Sequence, residues 1–474
     1  MAQGAFRQIR YQVLFVVALA VLVAAFLSVA AVGHGFFDLK VYSGALHYWA
    51  REGGEIYDWL KPNSKYGFTY PPFAALLMLP LAYLPFLLST VLSVALTALV
   101  SVLLLWWLVD PVARRMGWTR WFALAVAVCL AAAFEPMRET VDFGQVNMLL
   151  LVLVAADLLW LVRPGYAAPG QVVPGHALPG RPPAGRRDPA RYRRWAGVGI
   201  GLATAIKLTP GIFIVYLLVT GRWRAAVTAS GAAAVATLIA AAVAPDASRE
   251  FWTSALWDTD RVGELAFISN QSLQGVVARL DPADPSTLAW LVLAVAALAV
   301  WAWRVRAAVA AGDEVAGLAL TGVLGALVSP VTWVHHLVWL IPALVLVVDH
   351  AVAAPVGSRR RRGLLAFAII AYGVLCSRLV WIWEHDSTGV GGFLGSNAYV
   401  WVSIALLVGM PIGNRPRSAA PARPTPETGP GAAAGGGSGS GLAETGGVPK
   451  LDQPERRPSR GPVDLVRRPL TVGD

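Results

Sequence analysis

Charged residues are scarce in this sequence of 474 residues, of which only 14% are Asp, Glu, Lys or Arg. A soluble domain carries about 25% charged residues, and a soluble chain of this length would divide into about three domains of roughly 150 residues. Instead, 56% of the residues are hydrophobic, the mean hydropathy is +0.58, and long apolar runs recur from Tyr11 to Met410. The composition therefore predicts an all-α integral membrane protein and excludes a set of soluble domains.

Cysteine and lysine are scarce as well. The two cysteines, Cys129 and Cys376, lie in apolar runs, which excludes a disulfide framework and a cysteine-based metal site. The net charge of +11 comes mostly from arginine, and the apolar composition excludes a nucleic-acid-binding globule despite this charge. The arginines cluster between apolar runs, as the positive-inside rule expects of cytoplasmic loops, where they set topology and contact lipid headgroups.

The apolar runs predict a polytopic helical bundle with about twelve transmembrane helices and short loops on the outer face. The expected spans are residues 11–32, 86–109, 121–134, 145–162, 195–206, 211–219, 225–243, 288–303, 315–328, 337–348, 364–383 and 398–411. Residues 71–83 are too short to span and are expected to be re-entrant or interfacial. With the N-terminus inside, this topology puts the arginine-rich loops and both termini in the cytoplasm.

Two segments lack apolar periodicity and are rich in Pro, Gly and Arg. Residues 163–194 are predicted to form a disordered, basic cytoplasmic loop, and residues 414–474 a disordered cytoplasmic tail. Residues 1–413 then form one transmembrane domain that contains this loop. The sequence shows no internal repeat of the kind that inverted-repeat transporters carry.

A carboxylate follows the first predicted helix closely, in Phe36-Phe37-Asp38-Leu39-Lys40-Val41-Tyr42. At the boundary between water and lipid, partial desolvation would raise the pKa of Asp38 and make it a better base. The alternative is an aspartate that caps the following amphipathic helix, and the two interpretations are compatible. Asp38 is the leading candidate for a general base.

Lys207 is the second candidate, because no other lysine occurs between Lys65 and Lys450. It stands at a predicted helix break, Lys207-Leu208-Thr209-Pro210, on a segment expected to reach the outer side. A cation on the outer side departs from the positive-inside rule and indicates an anionic partner such as a phosphate. The alternative is a lysine that snorkels at a helix end.

Two adjacent histidines occur in Trp333-Val334-His335-His336. Neighbouring positions on a helix point about 100° apart, so the two rings are poorly placed to share one metal ion, and we expect no metal site. The open alternatives are an imidazole that hydrogen-bonds a substrate or phosphate and plain interfacial packing.

Other polar residues lie at the ends of the predicted spans and are expected to bind substrate or support the site. Gln145 and Asn147, in Gly144-Gln145-Val146-Asn147, place two amides at the mouth of a span, which suits the recognition of hydroxyl groups. The remaining members of this set are Tyr70, Glu135, Arg138, Glu139, Asn270, Gln271, Arg378 and Glu384.

The order of these motifs resembles glycosyltransferase family 87, from about Phe36 to about Trp339. The motifs that carry the resemblance are Phe37-Asp38-Leu39-Lys40-Val41-Tyr42, Phe68-Thr69-Tyr70-Pro71-Pro72-Phe73, Gly144-Gln145-Val146-Asn147, Lys207-Leu208-Thr209-Pro210, Asn270-Gln271-Ser272 and Trp333-Val334-His335-His336. The family consists of polyprenol-phosphate-mannose-dependent mannosyltransferases with a GT-C fold. Each motif is short, and their shared order carries the match.

This resemblance implies transfer of mannose, with inversion, from polyprenyl-phosphate mannose on the outer face of the plasma membrane. The implied product is an α-(1→2) linkage on phosphatidylinositol mannoside, lipomannan or a related glycolipid of an actinobacterial envelope. The reaction would need no cofactor and no nucleotide sugar. The sequence has no Gly-rich phosphate loop, which agrees with that expectation.

The resemblance also implies roles for the candidate residues. Asp38 matches the catalytic carboxylate that the GT-C pattern places in the first outer loop. The donor phosphate or sugar would be bound by Lys207, His335, His336, Arg378, Gln145 and Asn147. The acceptor-binding or supporting residues would be Lys40, Tyr42, Tyr70, Glu135, Arg138, Asn270 and Gln271.

Three other functions are compatible with parts of the sequence. One is a GT-C enzyme that uses another polyprenyl-phosphate sugar, such as arabinose or glucose. Another is a lipid or sugar transporter, which the helix break after Lys207 favours. The third is a non-catalytic membrane protein, which the ordered series of polar outer motifs disfavours.

Overall fold

The computed structural model is helical throughout the residues that it describes, which are 2–30, 33–161, 194–258, 261 and 263–413. Within these residues there is no strand, and one isolated antiparallel bridge joins Leu60 and Gly67. The predicted helical class is confirmed. The predicted tail and, apart from Arg194, the predicted basic loop lie outside the described residues. The described residues all belong to one compact unit, Met1–Ser418.

Eighteen α-helices follow one another in these ranges. The part before the basic loop contains α1 (Ala2–Ala30), α2 (Phe37–Arg51), α3 (Pro72–Met78), α4 (Phe86–Met116), α5 (Arg120–Ala133), α6 (Glu135–Phe143) and α7 (Asn147–Ala156). The part after it contains α8 (Val198–Ile206), α9 (Ile212–Val219), α10 (Trp223–Val243), α11 (Pro245–Glu250), α12 (Leu273–Leu280), α13 (Thr287–Ala310), α14 (Glu314–Val328), α15 (Ile341–Ala353), α16 (Arg359–Cys376), α17 (Gly389–Ser396) and α18 (Ala398–Gly409). Short 3₁₀ segments lie at Leu79–Ala82, Thr209–Gly211, Val334–Leu340 and Leu379–Trp383.

Five helical stretches of the described chain are long and apolar enough to cross a membrane: Arg7–Ala30, Phe86–Met116, Trp223–Val243, Thr287–Ala310 and Val334–Ala353. Two pairs of helices are each bent at a short break, α5 with α6 by 71° and α17 with α18 by 61°. If each pair is counted as one span, the number rises to seven. The expected number of about twelve is therefore not confirmed. Helix α14, with 15 residues, illustrates the difference, because a perpendicular span needs about 20 residues.

The break after α8 agrees with the sequence prediction. Lys207 follows the last residue of α8 with an extended backbone, and the chain then forms the 3₁₀ turn Thr209–Gly211 before α9 begins. Pro210 has no N–H to donate and its ring would clash with an uninterrupted helix. The residues 71–83 likewise form a short piece, α3 followed by Leu79–Ala82, as expected.

Helix α14 lies at the centre of the bundle, and nearly all of its side chains are buried. It packs against α13, α15, α18 and the Val334–Leu340 segment. Helix α1 is the opposite case, because only 6% of its apolar window is buried and it packs mainly against α5. An apolar helix exposed in this way is typical of a surface that faces lipid.

Candidate active site

Asp38 is the second residue of α2 and lies against the turn between α6 and α7. Its Oδ2 accepts a hydrogen bond from Gln145 Nε2. No backbone N–H of α2 donates to the Asp38 carboxylate among the described residues. The carboxylate is therefore engaged with another helix pair rather than capping its own helix, although its place in the first turn suits the helix dipole.

Gly144 brings Gln145 to Asp38. This glycine follows α6 with a φ of +72°, and a Cβ at this position would lie 2.7 Å from Leu39 Cβ. The left-handed backbone and the contact with α2 both exclude a side chain here. The turn after α6 therefore approaches the first turn of α2 closely enough for the two side chains to bond.

Two buried tyrosines extend the hydrogen-bond network away from Asp38. Tyr70 OH donates to Gln145 Oε1 at 2.8 Å, and Tyr42 OH donates to Tyr70 OH at 3.0 Å. Tyr42 comes from α2, whereas Tyr70 comes from the segment that precedes α3. The network thus joins three parts of the chain that are distant in sequence.

Lys207 lies at the other end of this network. Its Nζ is 3.4 Å from Tyr70 OH, 3.2 Å from Asn147 Oδ1 and 2.9 Å from His336 Nε2, and it lies above the Tyr70 ring. The backbone N–H of Trp333 donates to His336 Nδ1 at 3.2 Å. Because Nδ1 accepts from Trp333, the neutral His336 ring carries its proton on Nε2, so a hydrogen bond between Nε2 and Nζ requires an uncharged lysine, whereas a charged Lys207 donates to Tyr70 and Asn147.

The structure brings together seven of the candidate residues, which we call the Asp38–Lys207 network: Asp38, Tyr42, Tyr70, Gln145, Asn147, Lys207 and His336. Its two charged groups have shifted pKa values. Burial raises the pKa of Asp38 to about 6, although the Gln145 hydrogen bond and the charges of Lys207 and His34 act in the opposite direction. Burial lowers the pKa of Lys207 to about 8, against the attraction of the Asp38 carboxylate.

His335 packs against α6 and makes no hydrogen bond to Lys207. Its ring centroid is 5.2 Å from that of Phe143, and its Nε2 is buried without a hydrogen-bond partner among the described residues. Its backbone oxygen accepts hydrogen bonds from Thr140 Oγ1 and Asn147 Nδ2, which fixes the histidine segment against α6 and α7. No three His, Cys, Asp or Glu side chains of the described chain come together to hold a metal ion. The donor-binding role of His335 stays a prediction.

A cleft opens beside Lys207, between α7, α9, α14 and the Val334–Leu340 segment. Its polar end is formed by Lys207, Asn147 and His336. Its other walls are largely apolar and include Leu150, Ile212, Phe213, Gly322, Gly325, Ala326 and Trp339. The cleft has a volume of about 20 Å³, room for about one water molecule, so it marks a place where an anionic group can meet Lys207 and Asn147 rather than a preformed pocket for a hydrocarbon chain.

Arg378 and Glu135 belong to a different cluster. Arg378 NH1 lies 2.9 Å from Glu139 Oε1 and 3.5 Å from Glu135 Oε1, so it is paired with two buried carboxylates. Glu135 also accepts hydrogen bonds from Trp381 Nε1 and the Tyr399 hydroxyl. These contacts join α6 to the chain between α16 and α18, which is a structural use of both residues.

The hydrogen bonds of three other candidates go to backbone carbonyls. Arg138 donates to the carbonyl oxygens of Ala30 and Cys376, Asn270 to those of Leu265 and Pro330, and Gln271 to those of Ile268 and Ser396. Lys40 is exposed, with its Nζ 5.7 Å from the centroid of the Phe86 ring. The structure therefore does not bring these residues into the Asp38–Lys207 network, and their roles in binding stay predictions.

His34 was not among the sequence candidates, although it influences the site. Its Nε2 lies 3.2 Å from Glu139 Oε1 and its ring stacks on Phe143 at 4.2 Å. Burial disfavours the imidazolium, but the hydrogen bond and charge of Glu139, with the charge of Asp142, raise the pKa of His34 above its ordinary value. The available signal was its position four residues before Asp38 in the predicted outer segment.

Comparison with known proteins identifies the family. Residues 68–330 match glycosyltransferase family 87. The polyprenol-phosphate-mannose-dependent α-(1-2)-phosphatidylinositol mannoside mannosyltransferase of Mycobacterium tuberculosis is 31% identical over 357 residues, which cover 72% of this chain and 75% of the relative. No solved structure matches the chain.

Two further relatives differ in the acceptor or sugar that their names state. The α-(1-2)-phosphatidylinositol pentamannoside mannosyltransferase of Mycolicibacterium smegmatis, which also depends on polyprenol-phosphate-mannose, is 31% identical over 69% of this chain and 73% of its own length. An α-(1->3)-arabinofuranosyltransferase of Mycobacterium tuberculosis is 28% identical over 40% of this chain and 38% of its own length. The apolar helices, the family match and these relatives together establish that the chain is a membrane-embedded glycosyltransferase that belongs to glycosyltransferase family 87.

Proposed function

We propose that this protein transfers mannose from polyprenyl-phosphate mannose to a phosphatidylinositol mannoside or a related lipid-linked glycan, with inversion and formation of an α-(1→2) linkage. The observation that carries the proposal is the Asp38–Lys207 network, in which Gln145 and Tyr70 join a carboxylate to a cation. The names of the relatives support the choice of donor and acceptor.

Each end of the network supplies a group that this reaction needs. Asp38 takes the proton from the acceptor hydroxyl. The oxygen of that hydroxyl attacks the anomeric carbon from the face opposite the phosphate. The bond between the anomeric carbon and the phosphate oxygen breaks, and the polyprenyl phosphate leaves with one more negative charge. This leaving group needs a cation rather than a proton, and Lys207 supplies it, with Asn147 and His336 beside it.

The cleft beside Lys207 supports a lipid-linked donor. The phosphate would bind at the polar end, and α7, α9 and α14 would have to move apart for the first isoprenoid units to lie along the apolar walls, because the cleft holds about one water molecule. Burial of hydrocarbon there contributes about 25 cal/mol per Å² of apolar area, which favours a polyprenyl phosphate over a water-soluble nucleotide sugar.

Filling the cleft is expected to weaken donor binding. A Cβ on Gly325 would lie 3.4 Å from Ile212 Cγ2, so the outer atoms of a leucine would occupy cleft space. We expect Gly325→Leu to raise the KM for the donor by roughly tenfold. The comparison variant is Gly231→Leu in α10, an exposed position where a Cβ meets open space, and thermal unfolding of both variants shows whether Gly325→Leu overpacks the buried α14. Equal donor KM values for the two variants would contradict the assignment of the cleft.

The rate is expected to pass through a maximum between about pH 6 and about pH 8. Below the lower value Asp38 is protonated and cannot accept the hydroxyl proton, and above the higher value Lys207 is neutral. The measurement is kcat/KM for mannosyl transfer across this range in the wild type and in Lys207→Arg. The arginine stays charged, so its profile should keep the acidic limb and lose the alkaline limb. An arginine variant with an unchanged alkaline limb would refute the role of Lys207.

We also propose that the site lies on the outer face of the plasma membrane, in a GT-C bundle of about twelve crossings formed by residues 1–413 with both termini in the cytoplasm. One observation supports the orientation. Lys40 of α2 contacts Phe86 at the start of α4, whereas Arg114 and Arg115 lie near the other end of that helix. The positive-inside rule puts these arginines in the cytoplasm and the α2 end outside.

The test is mannosyl transfer by the purified protein from polyprenyl-phosphate mannose to phosphatidylinositol mannoside in detergent, with product linkage and anomeric configuration read by NMR. Transfer with an α-(1→2) product from the β-linked donor would support the full proposal. Transfer only from polyprenyl-phosphate arabinose would show that the donor sugar is arabinose rather than mannose. The arabinofuranosyltransferase relative favours this alternative. Movement of lipid across vesicles without transfer to any acceptor would favour a transporter.

A further inference from the structure

The two amides of Gly144-Gln145-Val146-Asn147 serve different ends of the network. Gln145 lies in the turn after α6 and contacts Asp38 and Tyr70. Asn147 begins α7, accepts a hydrogen bond from Lys207 and donates one to the backbone oxygen of His335. Although both residues were expected to bind the donor, only Asn147 touches the cation that would hold the donor phosphate.

The donors and acceptors around Gln145 fix the orientation of its amide. The Tyr70 oxygen accepts hydrogen bonds from Tyr42 OH and from Lys207, so the one proton of Tyr70 is directed to Gln145 Oε1. The amide nitrogen is thereby turned towards Asp38 Oδ2. The hydrogen bonds run in one direction, from Lys207 through Tyr70 and Gln145 to the carboxylate.

The side chain has little freedom to turn out of this arrangement. Gln145 is 6% exposed and Tyr70 is 5% exposed. Asp38 Oδ1 receives no hydrogen bond from the described residues, so the second carboxylate oxygen is the one left for a substrate hydroxyl. A carboxylate held by one oxygen presents the other in a fixed direction, which a general base requires.

We infer that Gln145 is a positioning residue for the base and does not bind the donor, an assignment that rests on the proposed function. It holds Asp38 Oδ2, leaves Oδ1 for the acceptor hydroxyl, and ties the carboxylate to the Tyr70–Lys207 side of the site. Loss of this hydrogen bond affects proton abstraction more than donor binding. Loss of the Asn147 amide has the opposite effect.

Steady-state kinetics of Gln145→Leu and Asn147→Leu, a matched pair of amide deletions, test this division. We expect Gln145→Leu to lower kcat by about 10²-fold and to change the donor KM by less than about twofold, because the base is no longer held. Asn147→Leu should raise the donor KM by roughly tenfold, with a smaller effect on kcat. A tenfold rise in the donor KM of Gln145→Leu with an unchanged kcat would make Gln145 a donor-binding residue and overturn the inference.

The pH profile of Gln145→Glu gives a readout that a purely structural role would not move. The variant has nearly the same shape, and its carboxylate can still accept from Tyr70, but it places a second negative charge against Asp38. We expect the acidic limb of kcat to move upward by about one pH unit or more, because a neighbouring carboxylate disfavours the ionised base. This variant also decides the question if Gln145→Leu does not fold, as judged by size-exclusion chromatography.

The activity of the wild type distinguishes failure of the Gln145 assignment from failure of the proposed function. If it transfers mannose and the acidic limb of Gln145→Glu stays in place, the assignment of Gln145 is overturned while the proposed function stands. If the wild type transfers no sugar from polyprenyl-phosphate mannose, the proposed function fails and the assignment fails with it.

Discussion

Replacing Asp38 with asparagine is expected to lower kcat for mannosyl transfer by about 10²–10⁴-fold, the usual contribution of a well-placed general base. The carboxamide keeps the shape of the side chain, and its oxygen can still accept the hydrogen bond from Gln145. It cannot take the proton of the acceptor hydroxyl. The donor contacts at Lys207, Asn147 and His336 are untouched, so the dissociation constant for polyprenyl-phosphate mannose should change little.

The measurement pairs turnover with donor binding and thermal unfolding. Because the pKa of Asp38 is raised to about 6, its ionised form lowers the free energy of unfolding above that pH, and the asparagine variant should unfold at the same or a higher temperature at neutral pH. Asp58→Asn makes the same change at an exposed position after α2 and should keep the wild-type rate. A folded Asp38→Asn with the wild-type kcat would show that another group is the base.

Replacing Lys207 with methionine is expected to lower kcat/KM for the donor by about 10²–10³-fold, as when one electrostatic contact to a developing charge is removed. We expect kcat to fall and the KM for the donor to rise. The cation binds the phosphate in the ground state, and it stabilises the additional negative charge on the leaving group in the transition state. His336 and Asn147 remain beside the phosphate but neither carries a permanent charge.

The matched control is Lys65→Met, which removes a cation from an exposed position between α2 and α3, where its Nζ lies 3.4 Å from Glu264 Oε1. We expect this variant to stay within about twofold of the wild type, since exposed charges contribute little to local energetics. Donor binding by isothermal titration and single-turnover transfer distinguish the ground-state effect from the transition-state effect. Equal loss in the two variants would indicate a general effect of membrane-surface charge rather than a phosphate site at Lys207.

The buried ion-pair cluster around Arg378 shows why polar residues at span ends are ambiguous in sequence. Glu135, Glu139 and Arg378 have the residue types of a catalytic or phosphate-binding set, but the structure pairs them with one another. In an apolar interior an unpaired charge is costly, so such residues occur in partnered groups whether or not they touch a substrate. Only the positions of the partner residues show whether such a residue binds substrate or joins two helices.

Much of the architecture followed from the sequence. The scarcity of charge and the length of the apolar runs predicted a helical membrane protein, and Pro210 predicted the break after α8. The number of crossings stays a prediction, because α5 and α14 have the composition of spans but only 14 and 15 residues, and a perpendicular span needs about 20. Hydropathy measures the lipid solubility of a segment, and burial against other helices produces the same pattern.

For the site, the sequence by itself determined which residue types were available and in what order, and it singled out Asp38, Lys207 and the Gly144-Gln145-Val146-Asn147 motif. The tertiary structure alone decided which of them meet. Gln145 and Asn147 are two residues apart yet contact opposite ends of the network, and His335 and His336 are adjacent yet contact different groups. The reason is that a hydrogen bond depends on atoms about 3 Å apart with aligned donors, and this alignment is set by how α2, α6, α7 and α8 pack together rather than by local sequence.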